Sequence, residues 1–148
     1  MNTLTQELIL LPVVFLAFWT MLVLLLVPFS RFKAVFKGEL TKDDFKKGES
    51  ERVPDYVILP NRNFMNLLEV PVLFYLVCVI FYVVQINSLT VLVLAWVYVG
   101  LRILHSVCHL TYNSVAHRLS LYAVSNFVLV ALLIFLMLPL FRLTGLMA

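Results

Sequence analysis

Charge is the scarcest ingredient of this chain. Only 13% of its 148 residues are Asp, Glu, Lys or Arg, whereas 63% are hydrophobic, and the mean hydropathy is +1.02. A soluble domain carries roughly 25% charged and 45–50% apolar residues. The deficit excludes an ordinary soluble enzyme and a disordered tail. It also excludes a nucleic-acid binder, despite the net charge of +3. Internal repeats, low-complexity stretches and an H-E-x-x-H metal motif are all missing from the sequence. Cysteine is limited to Cys78 and Cys108. What the chain has in quantity is long uncharged apolar runs, the pattern of a small multi-span membrane protein.

No charge falls between Glu7 and Arg31, between Glu69 and Arg102, or between Arg118 and Arg142, and these gaps hold 23, 32 and 23 residues. A helix needs about 20 apolar residues to cross the hydrocarbon core, so the first and third gaps fit one span each. The middle gap is too long for one span, and its only polar cluster, Gln85-Ile86-Asn87-Ser88, reads as a tight turn between two helices. The expectation is an all-α integral membrane protein, one domain over 1–148, with spans at about 8–29, 63–84, 88–112 and 118–140. The first span reads as a retained helix and not as a cleaved signal, because Met1–Glu7 has no basic residue and the apolar run is long. Pro12 and Pro28 fall in its end turns, where proline disturbs the fewest backbone hydrogen bonds. Gly38, Gly48, Pro54 and Pro60 mark 37–61 as a loop with at most a short surface helix.

Orientation follows from Lys and Arg. Eight of the eleven lie in residues 31–62, and Arg118 adds one between the third and fourth spans. The positive-inside rule then makes the 31–62 loop cytoplasmic and sets both termini on the opposite side. The loop charges, with six carboxylates among them, read either as a solvated face or as contacts to lipid headgroups or substrate.

The span arithmetic has a further consequence. The run from Val70 to Val84 holds only 15 residues, so the second helix must begin before Glu69 and carry Arg62, Asn66 and Glu69 in its cytoplasmic turns. The third must carry Arg102 and His105. At 1.5 Å per residue, Glu69 lies about 27 Å and His105 about 25 Å from the Gln85–Ser88 turn, so carboxylate, guanidinium and imidazole share one level. Arg62, Asn66 and Glu69 step by i, i+4, i+7, and Tyr98, Arg102, His105, His109 and Tyr112 step by 4, 3, 4 and 3. Arg118, Tyr122 and Ser125 form a third stripe of the same period. Intramembrane charges mark functional sites or buried pairs. Two readings stand: a Glu69–Arg102 ion pair with interhelical polar contacts, or a shared wet cavity. Cys78 and Cys108 fall at about 14 and 30 Å from the turn, too far apart in depth for a disulfide. A metal at His105 and His109 lacks the three close ligands of a catalytic zinc site, so no metal is assigned.

A cavity with Arg62, Arg102 and Arg118 suits carboxylates, and Glu69 suits an ammonium group. A small zwitterion with more than one carboxylate fits, alongside a lipophilic reactant arriving from the bilayer.

The run Arg62-Asn63-Phe64-Met65-Asn66-Leu67-Leu68-Glu69-Val70-Pro71 resembles the second-helix motif, R-x-x-x-N-x-x-E followed by proline, of the MAPEG superfamily. These are membrane-associated proteins in eicosanoid and glutathione metabolism. Arg102-Ile103-Leu104-His105, then Arg118 and Tyr122, resembles their third and fourth helices. The resemblance implies a homotrimer of four-helix subunits that binds glutathione as co-substrate between subunits. It implies Arg62, Asn66, Glu69 and His105 as glutathione-binding residues of one subunit, with Arg118 and Tyr122 as the catalytic pair, contributed by the neighbouring subunit. Arg102 and His109, on the same polar stripe as His105, are read as glutathione-binding with them. The resemblance would make Arg31 the counterpart of the family's basic residue at the end of the first helix, with no motif to fix that register. His109 stands where some members have tyrosine, and Leu119 where others have serine. The resemblance therefore implies a bacterial-type member, seated in a bacterial inner membrane, acting as a transferase or peroxidase on lipophilic electrophiles. The other function class is a non-catalytic protein that uses the same fold to bind or move a small anion or to support a partner.

Overall fold

A computed structural model describes residues 6–46 and 50–143 of the chain. Met1–Thr5 and the segments 47–49 and 144–148 lie outside the described residues, as do the readings that fall on them. Every long element is a helix. Helix α1 (Leu10–Phe36) follows a short 3-10 turn at Gln6–Ile9, and α2 (Asp55–Leu68) leads into α3 (Val70–Val83). Helices α4 (Leu89–Leu110) and α5 (Val115–Leu143) complete the bundle. Four helical segments are long and apolar enough to cross a membrane: Gln6–Phe36, Asp55–Val83, Leu89–Leu110 and Val115–Phe141.

The inward face of α1 is written in its sequence. Leu16, Thr20, Val23, Val27, Ser30 and Ala34 are buried, spaced alternately by four and three. The two hydroxyls on this face turn back on their own helix: Thr20 donates to the Leu16 carbonyl at 2.9 Å and Ser30 to that of Val27 at 2.9 Å. The stripe continues past Pro28 to Ala34, so Pro28 is internal to the helix and not in its last turn. Burial of Ala34 against Leu40, Val53 and Val57 offsets the one hydrogen bond that the proline removes. Helix α1 ends at Gly38, whose φ of +72° is left-handed. The Gly38 and Glu39 amides donate to the Val35 and Ala34 carbonyls, each at 3.0 Å, and close the end as a Schellman motif.

The loop beyond is gathered around one carboxylate. Asp44 accepts from the Thr41 amide and hydroxyl at 2.8 and 2.9 Å, from Ser50 at 2.9 Å and from Arg52 at 2.8 Å. The Thr41 amide, then Arg52, holds the Asp44 carboxyl well below the usual carboxylate range.

Helix α2 begins at Asp55, immediately after Pro54, several residues earlier than the loop reading of 37–61 allows. Its buried face is Val57, Pro60, Asn63 and Leu67, so Pro60 is a packed helical residue and not loop punctuation. The helix stops at Glu69, whose φ of −85° and ψ of −103° are not helical. Pro71 follows, and having no N–H it leaves the Leu67 carbonyl without its usual partner. The second span is therefore two helices joined at Glu69. The chain next reverses at 84–88, where Gln85 has a φ of 59°. Helix α4 packs chiefly against α5, and α1 against α2. The core lies between them around Leu16, Phe74, Phe81, Ala95, Tyr98 and Leu132, with the Phe74 and Tyr98 rings stacked 4.4 Å apart.

Candidate functional site

The inner face of α4 is polar over its second half. Tyr98, Arg102, His105 and His109 are 0%, 1%, 4% and 1% exposed, so the 4-3-4 stripe does face the interior. Tyr112, its expected last member, is exposed, because the helix ends at Leu110 and the period ends with it. The Arg102 guanidinium sits 5.5 Å from the Tyr98 ring centroid and 5.0 Å from that of Tyr122. Its Nε donates to the Tyr98 hydroxyl at 3.1 Å, while Nη2 is buried with no partner among the described residues. A buried guanidinium flanked by two ring faces is stabilised by cation–π attraction, and it keeps donors for an anion.

Between the end of α4 and the start of α5 lies a cleft of about 210 Å³, lined by Asn66, His105, Val115, Arg118, Leu119 and Tyr122. His105 contributes its ring with a defined tautomer. Nδ1 lies 3.0 Å from the Arg118 carbonyl, which can only accept, so Nδ1 carries a proton and donates it there. Nε2 has no partner among the described residues. The Tyr122 ring lies 6.1 Å from that of His105. Arg118 is half-buried and donates through Nη1 to the Asn113 side-chain oxygen at 2.7 Å. Ser125, one turn beyond Tyr122, is buried and donates to the Tyr122 carbonyl at 2.8 Å.

One chain thus brings Asn66, His105, Arg118 and Tyr122 to a single cleft. Arg102 adjoins it through the Tyr122 ring, and His109 through His105, whose ring is 6.0 Å away. Arg62 and Glu69 do not line it; both are exposed on the flank of their helix. The ion-pair reading of Glu69 with Arg102 is corrected here, since among the described residues no ion pair joins them. The cause is the backbone: the break at Glu69 ends the i, i+4, i+7 stripe, and α2 buries Asn63 in place of Arg62. His105 and His109 gather no further ligand, and among the described residues no three His, Cys, Asp or Glu side chains converge as a metal site.

Two participants escape a stripe-by-stripe reading of the sequence. Asn63 is fully buried and donates to the Ser106 hydroxyl at 2.5 Å, which ties α2 to α4 beside the site. Its signal is an amide in register with Val57, Pro60 and Leu67, because a buried amide needs a partner. Asn113 lies outside any helix, and a turn asparagine carries no periodic signal.

A family model, described as MAPEG family, matches residues 9–138. No curated protein and no solved structure matches the chain. The matched segment takes in nearly all four membrane-crossing helices and every residue of the cleft. The chain is a multi-pass membrane protein that belongs to the MAPEG family.

Proposed function

We propose that this chain is a glutathione-dependent membrane transferase or peroxidase that acts on lipophilic electrophiles. The observation that carries the reading is the cleft, in which Arg118 and Tyr122 stand beside His105 at one end of the bundle. Family membership fits glutathione-related chemistry in general. A free thiol with a pKa of about 8.5 is only a few per cent ionised at neutral pH, and the thiolate is the nucleophile. Arg118 acts as a permanent cation that stabilises the glutathione thiolate, because arginine is not deprotonated in proteins. Tyr122 adds a hydroxyl donor. The thiol proton leaves to solvent, the sulfur lone pair forms the new bond to the electrophilic atom, and the group displaced there departs with the bonding pair. Arg102, His105 and Asn66 hold the tripeptide, with His109 behind His105.

The cleft of about 210 Å³ is smaller than the roughly 300–1,000 Å³ of ordinary small-molecule pockets. Arg62 and Glu69 stand exposed beside it. Assembly as a homotrimer, in which a neighbouring copy covers that flank, would enlarge the site and bring both residues to the ligand. The bacterial-type assignment, with an electrophile entering from an inner-membrane bilayer, belongs to the same proposal.

The test is conjugation of a chromogenic electrophile by the purified protein, with Arg118→Ala beside the wild type. Loss of Arg118 should raise the pKa of bound glutathione, read from thiolate absorbance, and cut turnover roughly tenfold or more. Glutathione should still bind. An unchanged thiolate signal in folded Arg118→Ala protein removes Arg118 from the mechanism. Wild-type protein that binds glutathione yet never conjugates it overturns the enzymatic reading.

A further inference from the structure

The α4–α5 turn holds an unusual residue for its backbone. Asn113 has a φ of 48°, in the left-handed region where glycine is the easiest residue and asparagine the next. Its amide donates to the Cys108 carbonyl at 2.8 Å and the Thr111 amide to that of Val107 at 3.0 Å, which closes the end of α4. Glycine would satisfy all of this backbone geometry. The asparagine side chain adds one thing more: its Oδ1 accepts from Arg118 Nη1 at 2.7 Å, across a turn that separates two membrane-crossing helices.

Arg118 is therefore held at two points. Its carbonyl accepts the His105 Nδ1–H at 3.0 Å, which ties its backbone to α4. Its guanidinium is tied to the turn by Asn113. Of the five N–H bonds of a guanidinium, Nη1 supplies the one to Asn113, while Nε has no partner among the described residues. A neutral acceptor is the right kind of tether here. It fixes the direction of the fork and leaves the positive charge uncompensated, whereas a carboxylate would neutralise the charge that a thiolate needs.

From this geometry we infer that Asn113 is a positioning residue that holds the Arg118 guanidinium in the orientation that stabilises the glutathione thiolate. The inference rests on the reading of Arg118 proposed above. It acts through Arg118 alone and assigns Asn113 no contact with glutathione.

The experiment compares full-length wild type, Asn113→Gly, Asn113→Asp, Arg118→Ala and the Asn113→Gly/Arg118→Ala double variant in detergent, each titrated with pH in saturating glutathione. Thiolate absorbance gives the pKa of the bound thiol, and binding is measured separately by calorimetry. Asn113→Gly keeps the left-handed turn and removes only the acceptor. It should raise the bound-thiol pKa by about 0.5–1 unit, a roughly three- to tenfold loss of thiolate at neutral pH, with affinity nearly unchanged. Asn113→Asp keeps both turn and acceptor but sets a negative charge beside Arg118, and should raise the pKa at least as far. In the Arg118→Ala background Asn113→Gly should add nothing. A turn residue without the positioning role would leave the thiol pKa of Asn113→Gly at the wild-type value, and that result overturns the inference. Should Asn113→Gly fail to fold, Asn113→Ala, which also lacks the acceptor and adds no charge, decides by the same criterion. Failure of the underlying reading looks different: the wild type itself would show no lowered thiol pKa, or Arg118→Ala would leave it unmoved.

Discussion

Arg102 is the most costly residue in the molecule to keep. It is 1% exposed, its Nη2 has no partner among the described residues, and no carboxylate there pairs with it. Burying a charge costs several kcal/mol even after relaxation, and two aromatic faces return about 0.5–2 kcal/mol each. The balance is unfavourable to the folded chain unless an anion completes it. Arg102→Met, which keeps the length of the stem, should therefore leave the thermal stability of the ligand-free protein unchanged or raise it, by up to about 1–4 kcal/mol. The same change should weaken glutathione binding roughly ten- to a hundredfold, the scale of a lost charge-assisted hydrogen bond. Thermal unfolding in detergent and titration calorimetry check the two halves. A loss of stability with unchanged affinity would make Arg102 a structural cation clamped by Tyr98 and Tyr122. Asn113 shows the opposite economy at the same scale: one neutral oxygen orients a cation at little cost.

At the scale of elements, the join between α2 and α3 decides where the flank residues go. Pro71 occupies the first turn of α3, where its missing N–H is tolerated, but it forbids continuation of the α2 hydrogen-bond ladder through Glu69. Pro71→Ala should let the two segments join. Proline inside a helix costs about 3 kcal/mol relative to alanine, so the variant should melt no lower than the wild type. Rotation of Glu69 off its present flank should at the same time weaken glutathione binding by roughly tenfold. A variant that binds normally would show that Glu69 has no part in the site. Much of this level was legible in advance. Four membrane-crossing helices follow from the charge gaps, because few charges are tolerated over the roughly 20 residues that cross the hydrocarbon. The polar stripe of α4 follows from its 4-3-4 spacing. The start of α2 at Asp55 did not, because Pro54 and Pro60 have the look of loop residues until the packing of Val57 and Leu67 shows which face is inward. Nor did the break at Glu69, since one residue's ψ has no periodic signature. The tie from Asn113 to Arg118 is a contact between a turn and a side chain, and neither partner's spacing announces it.

At the scale of the whole molecule, the bundle has two unlike ends. At one, Gln6 donates through its side chain to the Tyr82 carbonyl, and Gln6, Ile9, Asn87 and Ser88 surround a small shared pocket, so the N-terminal turn meets the 84–88 turn. Neither turn contains Lys or Arg. At the other end lie the 37–54 loop, the α4–α5 turn and the cleft, together with most of the basic residues. Basic segments are retained on the cytoplasmic side of a membrane, so the proposed orientation has the cleft open to the cytosol. The expected orientation is therefore cytoplasmic for the loop and cleft, and external for the 84–88 turn. Single cysteines introduced as Lys42→Cys and Asn87→Cys test it in intact cells with a membrane-impermeant thiol reagent, since Cys78 and Cys108 are buried. Asn87→Cys should label at once, and Lys42→Cys only after the membrane is permeabilised. The reverse pattern would turn the cleft away from cytosolic glutathione. It would remove the proposed co-substrate whatever the geometry of Arg118.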